Sequence, residues 1–212
     1  ADPVAEKTAV LDDWRIVGAN RSFLWFAAAM IGSYVLIFQV YLALPLHAAA
    51  LAPQHQSVVV AAVFVVSGLV AVGGQLRITR WFAARWGAGR SLMIGMLILA
   101  ASFVPLLVVP NSGRFGVTAA IVALLASAAL LAVGSAAVFP FEMDTVVSLS
   151  GNRLVATHYG FYNTIVGVGI LAGNLATGAL LQAARDAGAD ELLWGGLALI
   201  GLVAALALHR LD

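Results

Sequence analysis

Cysteine is absent from the 212 residues, which removes disulfides, thiolate catalysis and cysteine metal sites together. Charge is scarce as well: Asp, Glu, Lys and Arg make up 10% of the chain, against roughly 25% in soluble domains. The four histidines are scattered, so no metal site is expected. A net charge of +1 and the lack of a basic tail exclude a nucleic-acid partner on electrostatic grounds. What is there instead is apolar surface. Hydrophobic residues reach 62% and the mean hydropathy is +1.00, the composition of an integral membrane protein.

The rare charges punctuate uncharged runs of bilayer length, which is about 20 residues for a helix. No charge occurs between Ser22 and Leu76, and the segment HAAALAPQHQS over 47–57, with Pro53, divides that run in two. Further uncharged runs cover Ser91–Gly113, Phe115–Phe141, Leu154–Ala184 and Leu192–His209. These runs predict helices near 22–46, 57–79, 91–109, 118–141, 156–183 and 192–209. Backbone amides must be satisfied within the bilayer, and the alternation of a barrel strand is missing, so the expected fold is an all-α bundle. Two parts are expected: a cytoplasmic linker over 1–21 and a six-helix transmembrane bundle over 22–212. Residues 1–21 have no apolar core of the signal-peptide kind and read as a linker continuing from a longer chain.

Arginine sets the orientation. With both termini on one side, that side carries Lys7, Arg15, Arg21, Arg77, Arg80, Arg85, Arg90, Arg153 and Arg210, nine in all, against Arg114 and Arg185 opposite. The positive-inside rule then places both termini in the cytoplasm of a multi-pass protein of the inner (plasma) membrane. The segment LRITRWFAARWGAGR over 76–90 becomes a cytoplasmic loop with four arginines and no acid.

An internal repeat is visible. Pro45 and Pro140 are expected to end the first and fourth spans. Gly68 and Gly74 precede Gln75 and Leu76 in the second span, as Gly167 and Gly173 precede Asn174 and Leu175 in the fifth. Three-helix units inserted in opposite senses, a 3+3 inverted repeat, would produce this relation.

On these features the chain resembles the C-terminal six-helix half of a major facilitator superfamily transporter, and most of all the drug:proton antiporter branch. The loop segment ARWGAGR is similar to the family's cytoplasmic motif through Arg85, Gly87 and Arg90, with Ala84 standing where the motif has an acid. GSYVLIFQVYLALP resembles the seventh helix through Gly32, Tyr34, Gln39 and Pro45. PFEMDTVVSLSGNRLVATHYGF resembles the link from tenth to eleventh helix through Pro140, Arg153 and Gly160. The resemblance implies an N-terminal six-helix half as partner, a small-molecule substrate, and proton coupling, with no cofactor. Uptake or metabolite and lipid transport by the same superfamily, and a non-transport six-helix subunit, are the alternatives.

Candidate site residues follow. Gly160, Asn163, Gly167, Leu171, Asn174 and Gly178 form one narrow stripe at helical spacing, either plain packing or a sliding seam between halves, and Gly169 and Gly173 make a second, small face. Tyr34, Phe38, Tyr41 and Pro45 share a face beside Gln39, suited to a bulky lipophilic or cationic molecule, so Tyr34, Phe38, Gln39, Tyr41 and Asn163 are candidates for substrate binding. Glu142, Asp144 and Arg153 are candidates for a cytoplasmic gate with Arg85 and Arg90, and Gly167 and Asn174 for the half-half interface. No acid falls inside an expected span, so a proton-carrying carboxylate is expected in the other half. His47 and His55 fall in an expected outer loop and His209 at the C-terminus, so no intramembrane catalytic dyad or metal cluster forms and the chain is not expected to be an enzyme.

Overall fold

The computed structural model describes residues 12–210, and among these no strand occurs. Lys7 lies outside the described residues, as does the side chain of Arg114. Residues 12–19 are helical and pack by Trp14 against Phe161, with ring centroids 5.1 Å apart. The expected linker therefore ends in an ordered turn of helix. Asn20 then caps the next helix, its Oδ1 accepting from the Phe23 amide at 3.2 Å.

Seven helices follow: α1 (Arg21–Ile37), α2 (Ala43–Leu51), α3 (Gln56–Ala101), α4 (Val104–Val108), α5 (Ser112–Leu149), α6 (Val155–Asp186) and α7 (Glu191–His209). Short 3-10 turns at Phe38–Val40 and Pro53–His55 join the first three. Among the described residues five runs are long and apolar enough to cross a membrane: Arg21–Leu51, Pro53–Val108, Phe115–Leu149, Val155–Asp186 and Glu191–His209.

The 46 residues of α3 would extend about 69 Å at a rise of about 1.5 Å per residue, far beyond a bilayer core of about 30 Å. They do not form one rod. Gly87 has φ 71° and ψ −175°, a conformation open to glycine, and two helices meet there. Ser91 Oγ donates to the Phe82 carbonyl at 3.3 Å, a pair nine residues apart that a straight helix would separate by about 13 Å. Thr79 and Gly95 meet neighbouring levels of α5, at Ala136 and Val138 respectively, so the chain reverses at Gly87. This is the arginine-rich segment, read from the sequence as a loop; it is helical on either side of a single-residue break at Gly87, with Trp81, Phe82 and Trp86 clustered at centroid distances of 4.7–5.3 Å.

Both prolines expected to end spans lie inside helical segments. Pro45 falls in the first turn of α2, where its missing amide is tolerated, and the break occurs upstream, at residues 38–42. The helix resumes through His47, which is therefore buried in α2 against Trp194, with centroids 5.1 Å apart, rather than exposed in a loop. Pro140 sits well within α5. A proline there leaves the carbonyl four residues earlier without its donor, and that carbonyl belongs to Ala136. Thr79 Oγ1 donates to it at 3.3 Å, which lets α5 continue to Leu149.

Small residues set the helix spacing. A Cβ on Gly95 would meet Val138, one on Gly134 would meet Leu99, and one on Gly201 would meet Ala100 and Leu36. The core built around these contacts buries Phe23, Met30, Leu44, Met96, Phe103, Leu124, Tyr162 and Trp194.

Candidate substrate cleft and buried carboxylate

The break after Ile37 decides where the first-span aromatics go. Unwinding frees the Val35 carbonyl, and Gln39 Nε2 donates to it at 2.6 Å. Gln39 is thus fully buried against its own helix, while its Oε1 has no hydrogen-bond partner. Beyond the break, Tyr41 turns outward and is 65% exposed, its ring 5.7 Å from Phe38 and 6.0 Å from Phe64. Tyr34, one turn before the break, points elsewhere. The four-residue spacing that placed these rings on one face holds only for a continuous helix.

Tyr41 borders a cleft of about 200 Å³ between the α1 break, the first part of α3 and the middle of α5. Ile37, Val40 and Phe139 supply apolar wall, and Ser67, Gln75 and Ser135 supply polar groups. Ser67 Oγ is buried without a partner. Ser67, Gln75 and Ser135 escaped the sequence reading, although each is a lone polar residue in an apolar run. Phe38 and Asn163 do not line this cleft.

Tyr34 instead reaches Glu142. Its hydroxyl donates to Glu142 Oε1 at 2.7 Å, and the Tyr162 hydroxyl donates to the same oxygen at 2.5 Å. Glu142 is 1% exposed and Tyr162 is fully buried. The acid lies seven residues before the end of α5 at Leu149, because the helix continues past Pro140. The sequence placed Glu142 just beyond the fourth span; the structure places it within the helical run Phe115–Leu149. No signal in the sequence pointed to Tyr162, which lies on the flank of the α6 stripe.

The expected gate residues are not brought together. Among the described residues, Glu142 and Asp144 form no ion pair with Arg85, Arg90 or Arg153, and those arginines and Asp144 are exposed. Arg153 borders a separate pocket with Asn20, Ser150 and His158.

On α6 the two small faces differ. Gly169 and Gly173 press on α1, where a Cβ would meet Ile31 and Val35 respectively. The other stripe is open: Gly160, Asn163, Gly167 and Leu171 are exposed, with no atom within 4 Å of a Cβ added at Gly160 or Gly167. Asn174 is half-buried, its Oδ1 unpartnered. The paired glycines of the second and fifth helices match only in part. Gly68 and Gly167 are both open, but Gly74 faces its own helix at Ile78 whereas Gly173 faces Val35.

Residues 1–174 match the Major Facilitator Superfamily. The chain is 65% identical over its whole length to an uncharacterized MFS-type transporter of Mycobacterium tuberculosis strain H37Rv, and covers 51% of that protein. It is 25% identical over 202 residues to the multidrug resistance protein MdtH of Klebsiella pneumoniae strain 342, covering 95% of this chain and 48% of that one. The MdtH of Salmonella schwarzengrund is 24% identical over 202 residues, with the same coverage. The chain thus spans about half the length of the curated relatives it matches. No solved structure matches it. The chain belongs to the Major Facilitator Superfamily, whose members are membrane transporters rather than enzymes.

Proposed function

We propose that the chain is the C-terminal six-helix half of a proton-coupled exporter, of the drug:proton antiporter branch, for small lipophilic or cationic molecules. The reversal at Gly87 supports two crossings within α3, and so six spans in place of five apolar runs; the 3+3 inverted repeat is part of the proposal. The arginine bias orients them with both termini in the cytoplasm of an inner (plasma) membrane. The open α6 stripe, with Asn163, Gly167 and Asn174, is the seat of the N-terminal half.

The observation that carries the substrate class is the cleft at the α1 break. It offers an exposed aromatic ring, Tyr41, an apolar wall with Phe139, and the uncharged polar groups of Ser67, Gln75 and Ser135. Such a lining suits partly apolar molecules held by ring contact and few hydrogen bonds, with the rest of the site supplied by the second half; sugars would call for denser polar contact. The likeness to multidrug resistance proteins supports export over uptake.

The test is transport by the full-length protein reconstituted in liposomes. A pH gradient should drive accumulation of a lipophilic cation such as tetraphenylphosphonium, and Gln75→Leu should weaken it with protein yield unchanged. Accumulation of sugars but of no lipophilic compound would refute the reading.

A further inference from the structure

The carboxylate of Glu142 has unusual surroundings for a charged group. It is 1% exposed, and both hydroxyls that reach it converge on Oε1, leaving Oε2 with no hydrogen bond from the protein. Among the described residues, the titratable and charged side chains that touch it are Tyr34 of α1 and Tyr162 of α6. Tyr159 donates to the Met143 carbonyl at 3.0 Å, and His158 Nδ1 lies 3.0 Å from the Leu154 carbonyl. Asp144 on α5 is exposed, as are Arg21 on α1 and Arg77, Arg80, Arg85 and Arg90 on α3. No cation is paired with Glu142 among the described residues.

A carboxylate buried without a cation has its charge met by hydrogen bonds or removed by a proton, and here the two hydroxyls serve one oxygen only. We infer that Glu142 is a proton-carrying site of this chain, with Oε2 holding the proton and Tyr34 and Tyr162 acting as positioning residues. This rests on the reading of the chain as half of a proton-coupled transporter, and it moves the carrier from the other half into this one.

The packing links that proton to conformation. Tyr34 rides on α1 and Tyr162 on α6, and these two helices are pressed together where Gly169 meets Ile31 and Gly173 meets Val35. Glu142 rides on the third helix, α5. Oε2 exchanges its proton with water, and a movement of the α1–α6 pair relative to α5 changes how much of it water can reach. The opposite face of α6 is the open stripe, so a movement of the neighbouring half against that stripe is transmitted to the pair that covers Glu142. Proton release from Glu142 is therefore coupled to the position of the α1–α6 pair.

Two measurements on the full-length protein test this. The first is the infrared difference spectrum of the purified protein between acid and alkaline pH. A carboxylic C=O band should bleach on alkalinisation, Glu142→Gln should remove it, and Tyr34→Phe and Tyr162→Phe should move the pH at which it bleaches. The second is pH-gradient-driven accumulation of tetraphenylphosphonium in proteoliposomes, which Glu142→Gln should abolish and Glu142→Asp should partly retain. A band unchanged in Glu142→Gln, or full gradient-driven accumulation by that variant, overturns the inference. Failure of the exporter reading looks different: the unmutated protein would accumulate no cation, while the infrared band would still decide whether Glu142 binds a proton.

Discussion

Gly167 and Gly169 lie two residues apart on α6, and alanine at the two positions should act in different ways. A Cβ on Gly169 would meet Ile31 Cγ1 at 2.9 Å and Ile31 Cβ at 3.2 Å, with Cγ2 closer still. Ile31 is β-branched and stiff at χ1, so the clash cannot be relieved by swinging a flexible chain end aside. Overpacking of this kind costs about 1–3 kcal/mol, and three contacts to one stiff side chain place this site in the upper half of that range. Alanine regains up to about 1 kcal/mol through its better helix propensity, which leaves a net loss of about 1–2 kcal/mol for Gly169→Ala. At Gly167 a Cβ meets nothing within 4 Å in this chain, so Gly167→Ala should leave stability unchanged or slightly raised. If the stripe seats another half, the added methyl should nonetheless impair transport. The assay is thermal unfolding of the full-length protein in detergent, together with transport in liposomes. Gly169→Ala as stable as the unmutated protein would refute the packing argument. Unimpaired transport by Gly167→Ala would refute the seam.

Thr79→Val removes the hydroxyl that serves the Ala136 carbonyl below Pro140 and should destabilise the protein by about 0.6–1.7 kcal/mol, with Thr79→Ser near normal; equal stability of both variants would show that the Thr79 hydroxyl does not support α5 at Pro140. Tyr41→Ala should weaken binding of a bulky cation by roughly three- to thirtyfold, the equivalent of about 0.5–2 kcal/mol of ring–cation attraction, and should affect small neutral compounds less; equal loss for all would make Tyr41 a packing residue. Because the Arg85 guanidinium is exposed and unpaired among the described residues, Arg85→Lys should transport normally, and a large loss would point to a contact formed in another conformation. Cysteines introduced at Gln54 or Ser112 should label from outside intact cells, whereas one at Gly87 should not; uniform labelling would contradict the orientation.

The helices were legible because a bilayer demands long uncharged runs, which the sparse charges mark out. Pro53 located one break from local chemistry, since proline removes a donor; the arginines marked 76–90 only as a loop, within which the break falls at Gly87, where glycine accepts a positive φ. Pro140 misled because its compensation is not local. The hydroxyl that lets α5 continue comes from Thr79, 57 residues from the Ala136 carbonyl it serves, and nothing near Pro140 announces it. The burial of Glu142 was hidden by the same error, since an acid after a helix-ending proline reads as a loop residue. Its partners lie 108 and 20 residues away and are set by how three helices pack. The two faces of α6 were visible as a pattern, but which of them packs on α1 depends on Ile31 and Val35, and helical spacing does not identify those neighbours.

The central claim is that this chain presents an unfilled transport surface completed by a second six-helix half. It is tested most directly by substrate-dependent transport in liposomes of the 212-residue chain alone, and of the same chain co-expressed with the preceding half. The chain alone should transport no tetraphenylphosphonium, and the pair should show pH-gradient-driven transport. Gradient-driven transport by the chain alone would contradict the claim.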